Sequence, residues 1–162
     1  MIEKYEYGDY VIVYNGQIYN TKELKQTLKE NGFSFNGHCD TEILLKSYIH
    51  YGKDVVKHLN GIFSFAIWDS NKKEVFLARD HFGIKPLFYT LYNNTLIFSS
   101  EIKALFKYPG IELKLNSESI GELIGIGPSH TPGTTIFKDI FEIKPAHFAI
   151  YNYSGFHTSR YW

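Results

Sequence analysis

Along the first third of the chain the apolar residues fall into two spacings. Tyr10-Val11-Ile12-Val13-Tyr14 is an unbroken β-branched and aromatic run, which predicts a buried or half-buried strand closed by a turn at Asn15-Gly16. The period then lengthens. Asn20 with Glu23 three residues on has the form of a capping box, and Leu24 and Leu28 share one face of a helix that Asn31-Gly32 ends. Residues 33–35 predict a short strand and Asn36-Gly37 a turn. Asp40 or Thr41 then caps a second helix, in which Leu44, Leu45, Tyr48 and Ile49 form one stripe that stops at Gly52. Asp40 is thereby placed at a helix start. A shorter helical stretch, 55–59, precedes Asn60-Gly61.

From residue 62 the pattern becomes strand-like, with short runs at 62–68, 75–79, 86–91 and 95–99 separated by polar and glycine turns. We read an antiparallel meander. Residues 62–68 carry Ser64 as their main polar interruption, which suits a strand covered on both faces by packed layers. Short helices are expected at 101–106 and 117–124, a long loop at 125–135, and a hairpin pairing 148–151 with 156–161. Apolar strand signals resume after the loop, so the pattern describes one domain without repeats.

Composition narrows the function classes. Seventeen Lys and Arg balance seventeen Asp and Glu, a neutrality that argues against a nucleic-acid-binding surface. With 44% hydrophobic and 17% aromatic residues, 162 residues suffice for a globular core. No apolar run approaches the length of a membrane span, and residues 1–7 do not have the form of a secretory signal, so a cytoplasmic protein is expected. The single Cys39 cannot form an internal disulfide. The seven histidines never fall into HxH or HExxH spacing, so no metal site is expected. Phosphate-loop, GxGxxG and GxSxG motifs are missing, and Gly125-Ile126-Gly127-Pro128 lacks the third glycine of a dinucleotide loop.

Three places could carry chemistry. Asn15 and Gly16, at the end of a buried strand, offer a side-chain amide and a backbone N–H, the two kinds of donor that meet a tetrahedral oxyanion; an Asn-Gly pair taken alone reads as a turn. Asp40, with Glu42 close by, could hold an ammonium group or be an ordinary helix cap. Cys39 could be a nucleophile with His38 beside it, but a lone cysteine more often packs as a small hydrophobe.

Taken together these stretches closely resemble the glutaminase domain of glutamine-dependent asparagine synthetases. Tyr14-Asn15-Gly16-Gln17-Ile18-Tyr19-Asn20 is similar to their NGEIYN signature, and Asn36-Gly37-His38-Cys39-Asp40-Thr41-Glu42 to their SDxE/CDTE segment. Residues 59–69 resemble LNGMFAFAIWD, 77–89 resemble LARDRFGIKPLYY, and 99–105 resemble SSEIKAL. The likeness runs from about residue 10 to 162 in order and spacing. Amidotransferases acting on phosphoribosyl pyrophosphate or fructose 6-phosphate share the RDxxGxxPL and SE elements but differ at the IYN segment.

The resemblance implies an α+β fold, a four-layer αββα sandwich of the N-terminal-nucleophile hydrolase type, here expected to lack its first strands. It implies an N-terminal cysteine attacking glutamine, an oxyanion hole from Asn15 and Gly16, and Asp40 on the substrate's α-amino group. Gln17 becomes a neutral substrate-binding position where the family often has Glu. Arg79, Asp80 and Pro86 take a structural role. The family's Met-Cys-Gly start, its carboxylate-gripping arginine and its ATP-pyrophosphatase domain have no counterpart here, so a fragment of one glutamine amidotransferase domain, inactive alone, is expected. No cofactor is expected in this chain; ATP and Mg are implied for the synthetase domain. The expected partners are glutamine, that synthetase domain and a second copy in a homodimer, with neither nucleic acid nor membrane. A non-catalytic glutamine- or partner-binding module, or another class II amidotransferase, are the alternative functions.

Overall fold

The computed structural model describes every residue except Glu6, Tyr7, His38, Pro128, Ser129 and His130. The reading of His38 as a base and the middle of the 125–135 loop therefore fall outside the described residues. Strands β1 (Ile2–Tyr5), β2 (Gly8–Ile18), β3 (Gly61–Asp69), β4 (Glu74–Arg79), β8 (His147–Asn152) and β9 (Gly155–Arg160) form one antiparallel sheet in the order β1-β2-β3-β4-β8-β9. A smaller sheet has the order β6-β5-β7, from β5 (Phe88–Tyr92), β6 (Thr95–Ser99) and β7 (Phe141–Glu142). Helices α1 (Thr21–Glu30) and α2 (Asp40–Tyr51) pack against each other, and α2 packs on β2. Short α3 (Ile102–Leu105) accompanies the small sheet, and α4 (Ser117–Ile126) follows it in the chain.

Strand alternation decides what each layer receives. Ile12, Ile18, Phe63, Phe65 and Ile67 turn toward the helices and join Leu24, Leu28, Leu44, Leu45 and Tyr48 in one buried core. Ala66 and Leu77 turn the other way, into a second cluster with Leu87, Ile143 and Ala149 between the sheets. Five consecutive residues of β3, from Phe63 to Ile67, are therefore buried, as the apolar run of 62–68 predicts. The cover is incomplete at the β2 end of that second face, where Val13 is 55% and Trp68 40% exposed.

Several expectations are corrected. A strand does precede residue 10: β1 pairs with β2 from Ile2↔Val11 to Tyr5↔Gly8. Asn15-Gly16 is not a turn, because β2 runs through it to Ile18 under cross-strand pairing with β3. Asn20 makes no capping bond; its side chain donates to the His58 carbonyl at 2.9 Å and accepts from the Asn60 amide at 2.9 Å, tying α1 to the turn before β3. Residues 33–35 form no strand, and Phe33 and Phe35 pack on the helical core instead. The meander breaks after β4, whose free side pairs with β8, while β5 leaves for the small sheet. Arg79 and Asp80 hold that departure. Arg79 donates to Glu142, Ile143, Lys85 and Gly83 at 2.7–3.0 Å, and Asp80 accepts the amides of Phe82, Ile84 and Lys85, each at 3.0 Å.

Candidate active site

The site begins with the backbone of β2. Successive amides of a strand point to opposite edges. Ile12 donates outward to Met1 at 2.9 Å, whereas Tyr19 donates inward to Asn60 at 2.7 Å. The register between β2 and β3 runs one to one from Tyr10↔Asp69 to Ile18↔Gly61. By that parity the Gly16 N–H points to the outer edge. β1 pairs only with residues 8–11, so among the described residues no strand covers the outer edge beside Gly16. This donor is fixed by the sheet yet unused by it.

Glycine is required there. A Cβ on residue 16 would lie 2.2 Å from the Ile62 carbonyl oxygen and 2.7 Å from the Phe63 Cα, and φ is +154°. The Asn15 side chain stands on the face toward the small sheet, and its Nδ2 donates to Ser100 Oγ at 3.3 Å. It lines a cleft of about 320 Å³ between the sheets, with Val13, Ser64, Ala66, Phe98 and Ser99 among its neighbours. Gln17 is exposed on the same strand face, two residues on and opposite Ile62.

Asp40 reaches this strand from the other face. Tyr14, whose ring lies on the helix side, donates its hydroxyl to Asp40 Oδ2 at 2.9 Å. Burial, then the hydrogen bond and charge of Asp40, push the Tyr14 hydroxyl far above the ordinary phenol range, so it remains a donor at any working pH. The structure thus brings Asn15, Gly16 and Gln17 onto one strand end and tethers Asp40 to it through Tyr14, across the sheet from the Asn15 side chain.

Glu42, the carboxylate close to Asp40 in the sequence, is committed elsewhere. Its side chain is 3% exposed, pairs with Lys46 at 2.6 Å and accepts the amides of Asn36 at 2.9 Å and Gly37 at 3.1 Å. Burial alone would raise its pKa, but Lys46 and the two amides together hold the carboxyl below its ordinary value. Lys46 also donates to Ser34 and Lys25 to Gly37, each at 2.7 Å, which fixes the segment leading into Asp40. Cys39 is an exposed thiol preceding the first residue of α2, with Sγ 3.9 Å from Asp40 Oδ1. Tyr14 and Glu42 are the positioning groups that the sequence left unassigned; nothing in the local pattern shows that a strand tyrosine meets a helix start 26 residues away.

Solved structures share this arrangement of layers. Bacillus subtilis glutamine phosphoribosylpyrophosphate amidotransferase aligns over 99% of this chain and 31% of its own, at a TM-score of 0.67 and 21% identity. A glutamine aminotransferase class-II domain protein from Silicibacter pomeroyi aligns over 94% of this chain and 67% of its own, at 0.57 and 14%. The fold is that of the α+β sandwich of N-terminal-nucleophile type, seen in glutamine amidotransferase domains. The family model described as Glutamine amidotransferase domain matches residues 2–162, and the chain belongs to that family. Asparagine synthetase [glutamine-hydrolyzing] 3 of Bacillus subtilis (strain 168) is 46% identical over 98% of this chain. The chain spans 26% of that relative's length. Among the described residues no helix is long and apolar enough to cross a membrane, and no group of three or more His, Cys, Asp and Glu could hold a metal ion.

Proposed function

We propose that this domain serves the hydrolysis of the glutamine side-chain amide, and that in a polypeptide of the asparagine-synthetase type the released ammonia amidates aspartate to asparagine. The observation that carries the reading is the Gly16 N–H on an unpaired strand edge beside the Asn15 carboxamide. A thiolate adding to the amide carbon makes an oxyanion, and these two donors meet it without reorganisation. The base that took the thiol's proton returns it to the leaving nitrogen, so collapse expels ammonia and leaves a thioester, which water cleaves to glutamate and the free thiol. Asp40, oriented by Tyr14, takes the substrate's ammonium through a charge-assisted hydrogen bond. Gln17 contributes a neutral hydrogen-bonding group on the same strand end.

ATP and magnesium belong to the amidating half of that reaction. The cleft beside Asn15 is lined by serine hydroxyls, one carboxamide and apolar walls, a donor set with neither cation nor carboxylate, so it fits neither group. The synthetase portion and a second copy of the chain are the proposed partners.

The only thiol in these 162 residues is Cys39, whose nitrogen is committed to the chain and supplies no amine to serve as its base. The nucleophile is therefore proposed to come from outside these residues. The test is ammonia release from glutamine by the 162-residue chain and by the same chain preceded by a cysteine-bearing strand of the family type. Turnover is expected only in the extended protein. Turnover by the short chain that Cys39→Ala abolishes would overturn this assignment, and glutamine binding without turnover in the extended form would favour a non-catalytic module.

A further inference from the structure

We propose that Ser64 is a positioning residue that fixes the orientation of the Asn15 carboxamide, an inference that rests on the reading of Asn15 as an oxyanion donor. Ser64 is 2% exposed, and its Oγ is the only buried side-chain polar atom without a hydrogen-bond partner among the described residues. A buried hydroxyl is ordinarily satisfied, so one left open beside a cleft points to a partner in that cleft.

The register supplies the partner. Ser64 is directly opposite Asn15 in the β2–β3 pair, and both side chains line the same cleft. Residues so opposed hold their Cβ atoms about 4.5–5.5 Å apart, a span that a hydroxyl and a carboxamide close by rotating about their side-chain bonds. Among the other residues lining the cleft, Val13, Phe65, Ala66, Leu87 and Phe98 offer no polar side chain, the Tyr14 hydroxyl is turned to Asp40, and the Ser99 and Ser100 hydroxyls already accept from the Glu101 amide and from Asn15 Nδ2.

A carboxamide can present either its NH2 or its oxygen to a ligand, and only a donor to the oxygen decides between them. Ser64 Oγ–H is that donor. Once the Ser64 hydroxyl has rotated onto Oδ1, with one N–H held by Ser100, the second N–H of Asn15 is free to face the oxyanion. Without Ser64 the group flips, and for part of the time it presents a repulsive oxygen.

The test uses the 162-residue chain and the side-chain amide resonances of Asn15, which do not depend on turnover. Ser64→Ala should raise the hydrogen-exchange rate of the Asn15 NH2 severalfold and narrow the shift difference between its two protons, while Ser64→Thr, which keeps the hydroxyl, retains the wild-type pair. An unchanged Asn15 pair in a Ser64→Ala chain whose backbone spectrum is otherwise native would overturn the proposal. In the glutamine-hydrolysing protein Ser64→Ala should lower kcat about tenfold at unchanged KM. Added to Asn15→Ala it should cost nothing more, because it acts through Asn15. Additive losses would also overturn it. If Asn15→Ala itself left turnover intact, the oxyanion reading would fail while the amide resonances still reported on Ser64.

Discussion

The two faces of β2 are built to opposite ends. On the helix side, Ile12, Tyr14 and Ile18 meet a packed core, and the polar groups near them close on one another: Tyr14 on Asp40, and Glu42 on Lys46, Asn36 and Gly37. On the other side, Val13 and Asn15 look into a cleft in which the Ser64 hydroxyl is unsatisfied. The same eleven-residue strand therefore has one face that spends its interactions on stability and one that keeps donors in reserve. Substitutions should divide accordingly, stability falling on the helix face and activity on the cleft face.

The largest effect is expected from Glu42→Ala, which strands the Lys46 ammonium, 5% exposed, without its carboxylate. Breaking one side of a buried pair costs roughly 3–5 kcal/mol, readable as a lower midpoint in urea. The same pair sets an acid limit. The folded Glu42 carboxyl lies below its unfolded value of 4.5, so its stabilisation is complete above that pH and is lost as the pH falls through the folded value. A wild-type stability that fell between pH 7 and 5 would contradict this source. In Glu42→Gln the acid slope below 4.5 should flatten.

Gly16→Ala tests the strand where both faces meet. Its methyl group would collide with the β3 backbone, and we expect a loss of about 2–4 kcal/mol with the backbone N–H kept but pushed out of line. Asn15→Ala should separate the faces cleanly: kcat falls by about 10²–10³, whereas the urea midpoint stays near that of the parent. An effect on KM alone would remove Asn15 from the oxyanion role. Asp40→Asn breaks the division, because Asp40 sits on the wired side yet is the group proposed to hold the ligand's ammonium. In a polypeptide of the proposed asparagine-synthetase type, its loss should raise the glutamine KM about ten- to a hundredfold and leave ammonia-dependent amidation unchanged; equal losses in both would make it a structural cap. The smallest effect is expected at exposed Val13, where Val13→Thr should stay within about 0.5 kcal/mol of the parent.

Much of this was legible before the fold. The stripe of Leu24 and Leu28, that of Leu44, Leu45, Tyr48 and Ile49, and the apolar run 62–68 specify burial by period alone, and all their apolar residues are buried except half-buried Ile49 and Ile62 and exposed Trp68. Asn15, Gly16, Gln17 and Asp40 were marked by their likeness to a family pattern. The strand through Asn15-Gly16 was missed because the pair has turn propensity, which the pairing of Gln17 and Ile18 with β3 overrides. The Asn20 cap was missed for a similar reason: its amide finds better partners at His58 and Asn60, which are near only once the chain has folded.

The sequence by itself determined which residues are apolar on which period, and hence that helices cover one side of a β-rich domain with donors at a strand end. What the tertiary structure decided is which partners those donors and acceptors have. Hydrophobic burial follows local periodicity, which a linear chain displays. Hydrogen bonding depends on atoms within about 3 Å, and the contacts that define this site join Tyr14 to Asp40, Asn15 to Ser100 and β2 to β3 across 26, 85 and about fifty residues of chain. Only a folded sheet, through its register and its free edge, turns Gly16 from a flexible residue into an aimed donor and leaves Ser64 facing Asn15.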